Sequence, residues 1–219
     1  MDYSQLVKCV LMETVTRPAH IRELPIVAGD LALDFANTVD DPLGPMRWDH
    51  IAGYPGLLVW SVRVGLVTPA DAETLAARAV AEPPAAARVV RSGAALRDAL
   101  NATFGAIVDG EPPQEAWTGL RPYVMRSIGQ AGMPAAGRLS WRTAELEAPL
   151  WPVGEAAWRL LTGTALPRLK RCVACPWLFL DRSKNGSRRW CSMEICGTDE
   201  KIRRYVRKRA LSASERDVG

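Results

Sequence analysis

The sequence predicts an α+β protein: a predominantly helical N-terminal domain with a minor β component, followed by a small treble-clef-like zinc finger made of a β-hairpin and a helix. Three observations predict this class. Apolar residues recur at three- and four-residue steps through the body of the chain, four of the five cysteines fall in the last fifty residues, and the same region carries dense positive charge.

We divide the chain into four segments on these patterns. They are a lead-in segment over 1–22, a mainly helical domain over 23–166, a finger over 167–211 and a tail over 212–219. The composition is that of a folded protein, with 48% hydrophobic and 24% charged residues. No apolar run reaches the length of a membrane span, and the start lacks a secretory pattern. A cytoplasmic protein is therefore expected, with Cys9 as a lone thiol.

The first apolar segment of the body has an ambiguous period. Leu31, Leu33 and Phe35 alternate as in a strand, whereas Leu31, Phe35 and Val39 also suit a helix. Helical spacing over 56–66 is clearer.

Capping signals and prolines punctuate the helices that follow. Thr68 and Pro69 form a helix start, and the helix they open ends at the proline pair 83–84. The spacing predicts the clearest helix over 85–108 and another from Pro113 to about Met125. Residues 139–143 alternate like a short strand, and a further helix is predicted over 152–165.

Four cysteines form two close pairs near the C-terminus. Cys172 and Cys175 are separated by two residues, Cys191 and Cys196 by four, and fifteen residues lie between the pairs. Zinc in structural sites prefers four tetrahedral thiolate or imidazole ligands, and a module of about forty residues needs such a staple. The spacing predicts a structural Zn²⁺ site. Four thiolates leave no open position for catalytic water.

The residues around the cysteines predict the rest of the finger. A strand over 177–181, a turn at Asn185-Gly186 and a returning strand over 187–191 would form a hairpin. Thr198 would cap a helix reaching about Leu211. Its narrow apolar stripe comprises Ile202, Val206 and Ala210.

Charge is distributed unevenly along the chain. Residues 1–167 carry 14 basic and 18 acidic side chains, a net charge of −4, whereas residues 168–209 carry 13 basic and 4 acidic ones, a net charge of +9. A basic block on a metal-stiffened scaffold, rich in arginine, favours DNA as the partner. The candidate DNA-contacting residues are Arg182, Lys184, Arg188, Arg189, Lys201, Arg203, Arg204, Arg207 and Lys208. The alternative is a solvated face that pairs with the acidic body or with a protein partner.

Three polar residues of the first apolar segment form a second candidate site. Asp34, Asn37 and Thr38 either line a pocket for a small-molecule effector or satisfy local backbone groups and pin the first helix. The sequence contains no recognisable catalytic triad, paired carboxylates or nucleotide-binding loop, so we do not expect an enzyme.

Two motifs resemble known families. The run from Cys172 to Gly197, with Trp-Leu-Phe-Leu-Asp after the first cysteine pair and Arg-Arg-Trp-Cys-Ser-Met before the last cysteine, resembles the CGNR-type zinc finger. The segment Leu-Ala-Leu-Asp-Phe-Ala-Asn-Thr over 31–38 resembles the opening of the ABATE domain, which precedes that finger in bacterial proteins. The resemblance implies a bacterial transcription regulator with a sensing N-terminal domain and a DNA-binding finger.

The sequence departs from the family motif at one place. Cys-Gly-Asn-Arg is replaced by Cys196-Gly197-Thr198-Asp199, which keeps the metal ligand and replaces the arginine by an acid. A regulator of transcription is therefore predicted alongside an alternative, a protein-interaction or small-ligand-binding protein whose finger is purely structural. A finger with one helix binds weakly alone, so a homodimer is the arrangement expected for tight DNA binding.

Overall fold

A computed structural model describes residues 24–40, 47–133 and 139–214, and within these ranges the protein is mainly helical with two short antiparallel hairpins. The lead-in over 1–22 and the end of the tail lie outside the described residues. The helices are α1 (Leu31–Ala36), α2 (Tyr54–Arg63), α3 (Pro69–Ala81), α4 (Pro83–Asp109), α5 (Gln114–Gly129), α6 (Trp151–Thr162) and α7 (Thr198–Ser214). The strands are β1 (Val39–Asp40), β2 (Trp48–Asp49), β3 (Leu169–Arg171) and β4 (Leu178–Leu180). The predicted fold class is confirmed.

The ambiguous first segment divides into a helix and a strand. Asp30 caps α1 by accepting a hydrogen bond from the backbone N–H of Ala32 at 2.9 Å. Leu33 and Phe35 are fully buried in the core. The chain then turns at Asn37 and pairs Val39 with Asp49 of β2. Leu31, Leu33 and Phe35 therefore belong to a helix, and the strand interpretation of their alternation is wrong, while Val39 lies beyond the helix in β1.

The predicted start of α3 is confirmed in detail. The Thr68 side chain accepts from the N–H of Asp71, and the Asp71 carboxylate accepts in return from the Thr68 backbone, which forms a capping box. Pro69 occupies the first turn, where no intrahelical N–H is needed. Helix α3 ends at Ala81, and Pro83 begins α4 after a single intervening residue.

Helix α4 is the central element of the body. Leu96, Leu100 and Phe104 lie on its buried face, and the helix ends at Gly110 in the left-handed conformation. On the same helix, Arg97 is only 1% exposed and forms two hydrogen bonds, of 2.8 and 2.6 Å, with the carboxylate of Asp49. This pair joins α4 to β2, and loss of one partner would leave a buried charge, at a cost of about 3–5 kcal/mol.

The short strand predicted over 139–143 is wrong. Ser140 makes only an isolated bridge with Gly132, and a 3-10 turn over Ala148–Leu150 leads into α6. The indole N–H of Trp141 donates to the carbonyl of Ser127 at 2.8 Å, so a side-chain contact holds this segment to α5. Sequence alternation alone cannot supply the partner strand that a sheet requires.

The finger hairpin differs from the predicted one. Strand β4 pairs with β3, matching Leu169 to Leu180 and Arg171 to Leu178, so the cysteine knuckle is itself the hairpin turn. The predicted returning strand over 187–191 is absent from the described structure, and these residues form a loop. Leu178 and Phe179 are fully buried in the same apolar cluster as the body helices.

Helices α5 and α6 pack closely at a glycine. A Cβ added to Gly154 would overlap the Ser127 hydroxyl and lie 3.0 Å from the carbonyl oxygen of Tyr123. The backbones must therefore separate to admit a methyl group. A methyl group on Gly129, the last residue of α5, would meet no atom within 4 Å.

We predict that Gly154→Ala lowers the free energy of unfolding by about 1–3 kcal/mol through overpacking. The matched variant Gly129→Ala should be neutral or slightly stabilising, because alanine is the better helix former. Urea unfolding followed by far-UV circular dichroism measures both. Equal stability of the two variants would contradict the close approach of α5 and α6.

Candidate zinc centre and nucleic-acid interface

The four predicted cysteine ligands lie together. Their sulfur atoms all fall within 4.8 Å of one another, and three of the sulfur–sulfur distances are 3.6–3.7 Å. With zinc–sulfur bonds of about 2.3 Å, the edge of a tetrahedral site is about 3.8 Å. The four cysteines therefore fit a structural zinc ion: Cys172, Cys175, Cys191 and Cys196.

Each cysteine pair is positioned by local backbone structure. The N–H of Cys172 donates to the carbonyl of Trp177 at 2.9 Å, which closes the knuckle between β3 and β4. In the second pair, Cys191 directly precedes Ser192, and Cys196 lies in a helical turn over Met193–Gly197. Ser192 caps this turn, because its hydroxyl accepts from the N–H of Ile195 at 3.2 Å. The capping hydroxyl is thus that of Ser192, whereas the sequence predicted Thr198.

The cluster cannot hold four thiolates without a cation. Hydrogen bonds from the other three thiols lower the pKa of Cys172, so a first thiolate forms readily. Hydrogen bonding to Cys172 in turn raises the pKa of Cys175 and of Cys191, and burial adds to the increase. A divalent ion that replaces the remaining thiol protons resolves this conflict, as expected for a metal-binding set.

The loop between the cysteine pairs is organised around a partly buried ion pair. Asp181 accepts from the Lys170 ammonium at 2.7 Å and from the N–H groups of Ser183 and Arg188, both at 2.9 Å. Lys170 also donates to the carbonyls of Gly186 and Arg188. These bonds hold the pKa of Asp181 well below its usual range, the contact with Lys170 being the largest cause. The hydrogen bonds of Asp181 and Lys170 also occupy the backbone N–H and carbonyl groups of this loop that a returning strand would need for pairing.

Not all of the candidate DNA-contacting arginines point outward. Arg188 donates to the carbonyls of Trp190 and Cys191 and lies over the ring of Phe179, 4.8 Å from its centroid. Its guanidinium therefore supports the fold of the finger. Arg189 is exposed and stacks on the ring of Trp190 at 5.4 Å.

The other candidates whose side chains are described are exposed. Arg182 follows β4 and donates to the carbonyl of Gly29, and Lys184 lies in the loop beyond it. On α7 the exposed candidates are Lys201, Arg203, Arg204 and Arg207, while Lys208 lies in the helix with its side chain outside the described part. Arg207 also pairs with Glu200 at 3.0 Å.

Of the predicted apolar stripe of α7, Ile202 and Val206 face solvent, and the side chain of Ala210 lies outside the described part; Tyr205 is exposed beside them. Ile202, Tyr205 and Val206 are 56%, 60% and 59% exposed. The helix leaves the metal site through the turn over Met193–Gly197, and these three apolar side chains are interspersed with its arginines. The described part of the stripe is not buried against the body as a core face would be.

The departure from the family motif lies at the start of α7. The Thr198 hydroxyl donates to the carbonyl of Met193 at 3.3 Å, closing the preceding turn. Asp199 lies in the first helical turn, where a negative charge favours the positive end of the helix dipole. Both residues thus have a local role in starting the helix.

The three polar residues of the second candidate site are all buried, and each makes internal hydrogen bonds. Asn37 donates to the carbonyl of Leu178 at 2.8 Å and accepts from its N–H at 3.1 Å, which ties α1 to β4. Thr38 donates to the carbonyl of Phe35 at 2.8 Å. Asp34 accepts from the N–H groups of Val27 and Ala28 at 3.0 and 2.9 Å. This geometry favours the alternative in which these residues satisfy backbone groups.

Sequence reasoning did not find several contacts that position the finger. The Trp177 indole donates to the carbonyl of Val39 at 3.0 Å, and Arg171 pairs with Asp109 at 2.7 Å. Apart from its charge, nothing in the sequence indicates that Lys170 binds Asp181 and the finger loop. These contacts join residues far apart in the sequence, so no local pattern marks them.

The fold and the cysteine cluster define a zinc-finger protein in which the metal site is built onto a helical domain. Two family models match the chain. The ABATE model, described as "Putative stress-induced transcription regulator", matches residues 29–164, and the CGNR zinc finger model matches residues 168–209. The chain belongs to the ABATE family, because that match covers more than half of it.

No curated protein matches the sequence. Among the described residues, no helix is long and apolar enough to cross a membrane.

Zinc removal tests the joint packing of finger and body. We predict that a strong chelator lowers the melting temperature of the whole protein by about 10 °C, because β4 loses its anchored knuckle while Leu178 and Phe179 belong to the body core. Thermal unfolding at 222 nm measures the effect. The control is Cys191→Ser, which should start from the lower value and respond little to chelator. A chelator-insensitive melting temperature of the native chain would contradict this coupling.

Asp34 makes a pH-dependent contribution to stability. Burial raises the pKa of Asp34 from 3.8 to about 6 in the folded protein, although the N–H groups of Ala28 and Val27 oppose the increase. The folded state binds the proton more tightly than the unfolded state. The contribution is therefore fully present below about pH 4 and is lost as the pH rises through about 6.

We predict that Asp34→Asn stabilises the protein relative to the native chain at pH 7.5 and that this advantage shrinks at pH 5, since an amide oxygen can still accept both N–H bonds without a charge. Asp34→Ala should instead destabilise by about 1–3 kcal/mol for each N–H left unpaired. Urea unfolding at the two pH values measures the difference. A gap between the native chain and the Asp34→Asn variant that does not change with pH would contradict the raised pKa.

Proposed function

We propose that the protein is a zinc-dependent DNA-binding transcription regulator without catalytic activity, in which α7 and the finger loop contact the duplex. The observation that carries the proposal is α7 itself. It begins at the metal site and presents Lys201, Arg203 and Arg204 to solvent on a helix whose described side chains beyond the first turn are exposed. Exposed arginines on a metal-anchored helix suit the phosphates and guanine edges of DNA.

The N-terminal domain is proposed to be the sensor. Its α1 is joined to the finger by the paired hydrogen bonds between Asn37 and Leu178, and β1 by the bond from Trp177 to Val39. A small-molecule effector that shifts α1 would therefore move the strand that carries the cysteine knuckle. The family description as a regulator of transcription supports this division of roles. A homodimer would supply the second helix that tight binding requires.

We predict that replacing Arg203, Arg204 and Arg207 together by alanine abolishes binding to duplex DNA at physiological salt. Each phosphate contact contributes about 0.9 to the slope of log K against log salt, so at low salt the slope should fall by up to about 2.7. Fluorescence anisotropy of zinc-loaded protein against mixed duplex fragments across a salt series measures both quantities.

The matched control replaces three exposed arginines of the body, Arg88, Arg91 and Arg121, by alanine. This variant loses the same charge and should bind as the native protein does. If the α7 variant bound DNA with unchanged affinity and slope, the proposal would fail. The finger would then be a structural cap of a protein-interaction or ligand-binding domain, an alternative that the burial of Leu178 and Phe179 against the body favours.

A further inference from the structure

A cleft of about 310 Å³ lies where the finger meets the body. Its lining comprises Ala165, Arg168, Leu180, Asp181, Arg182 and Ser183. Arg168 immediately precedes β3 and Arg182 follows β4 after one residue. The pairing of Leu169 with Leu180 places both arginines at the open end of the hairpin, and the N–H of Asp181 donates to the carbonyl of Arg168 at 2.8 Å.

The acid in this cleft is already neutralised. The Asp181 side chain is fully buried and accepts from the Lys170 ammonium, from the Ser183 hydroxyl at 2.6 Å and from two backbone N–H groups. The Ser183 hydroxyl in turn accepts from the N–H of Ser187 at 3.1 Å. The charge that the cleft presents is therefore that of the two guanidinium groups.

Both arginines keep most of their donors for a ligand. A guanidinium has five N–H donors. Arg168 makes a hydrogen bond with the carbonyl of Ser183 at 3.2 Å, and Arg182 makes one with the carbonyl of Gly29. Both side chains are otherwise exposed. Asp30, the cap of α1, attracts Arg182 and Arg159 electrostatically, and so it reduces the positive charge of the cleft without removing it.

We propose that this cleft binds a phosphate group between Arg168 and Arg182. Paired guanidinium groups suit the oxygens of a phosphate, which they bind in bidentate fashion. Leu180 and Ala165 add an apolar wall, which suits a phosphate joined to a sugar. The phosphate is that of the DNA backbone if the proposed function holds, and this assignment of its source rests on that function. A free phosphate compound is the other source of the same chemistry.

The position of the cleft gives this contact a distinct consequence. Gly29, the partner of Arg182, precedes the cap of α1, and the N–H of Leu180 donates to the carbonyl of Ala28 at 2.8 Å. A phosphate drawn to Arg182 would thus be bound beside the junction of body and finger. DNA would then contact the edge of the finger that adjoins the body, and not the finger helix alone.

The test compares two charge-matched double variants of the full zinc-loaded chain. Arg168→Gln with Arg182→Gln removes both arginines of the cleft. The control, Arg88→Gln with Arg91→Gln, removes two exposed arginines of α4. Anisotropy with a labelled duplex is recorded from about 50 to 200 mM salt. The cleft variant should bind about tenfold more weakly at low salt, with a slope smaller by about 0.9 for one lost phosphate, while the control keeps the native affinity and slope.

Additional variants separate binding from folding. Because Arg182 also donates a hydrogen bond to the carbonyl of Gly29, the melting temperatures of the variants are compared first. If the double variant is destabilised, the single variant Arg168→Gln is used for the DNA titration. Arg182→Lys keeps the charge and loses the planar fork. It should weaken binding while preserving the salt slope.

Titration with inorganic phosphate, followed by calorimetry, separates the two sources. A reduced DNA slope in the cleft variant supports the backbone phosphate. A native DNA slope together with lost binding of inorganic phosphate assigns the cleft to a free phosphate compound. If the native protein binds no DNA, the proposed function fails, and the phosphate titration alone decides the cleft. Native behaviour of the cleft variant in both titrations would overturn the phosphate site.

Discussion

The hairpin of strands β3 and β4 is part of both the metal site and the apolar core of the body. Their connecting turn is the knuckle that carries Cys172 and Cys175, and the buried side chains of β4 complete the apolar core of the body. The Asn37 amide matches the Leu178 peptide group as both donor and acceptor, as a neighbouring strand would. The position of the metal site relative to the helices follows from this one strand. The metal site in turn sets the positions of the loop between the cysteine pairs and of α7.

Local chemistry accounts for the parts of the structure that the sequence predicts well. The capping box at Thr68, the proline pair that begins α4 and the two cysteine spacings are each complete within a few residues. Long amphipathic helices are similarly visible, because a buried stripe repeats every three or four residues. The cysteine ligands could therefore be named without any knowledge of the tertiary fold.

Pairings between distant residues account for the errors. The returning strand over 187–191 has suitable residues, yet Asp181 and Lys170 bind the backbone of that loop. The segment around Trp141 alternates like a strand but finds an indole contact on α5 in place of a ladder. A sequence pattern shows what a segment can do, whereas the partner that decides between the alternatives lies elsewhere in the chain. The same limit applies to charge, since the Arg188 guanidinium is used inside the finger.

The bond between Asn37 and Leu178 joins residues 141 positions apart. During synthesis, α1 therefore emerges from the ribosome long before the strand that covers it. The body helices can collapse early through their local contacts, but a gap remains over α1 until the last quarter of the chain appears and acquires its metal. The nascent protein passes through an interval with exposed apolar surface, in which chaperones and proteases compete with zinc delivery for the same chain.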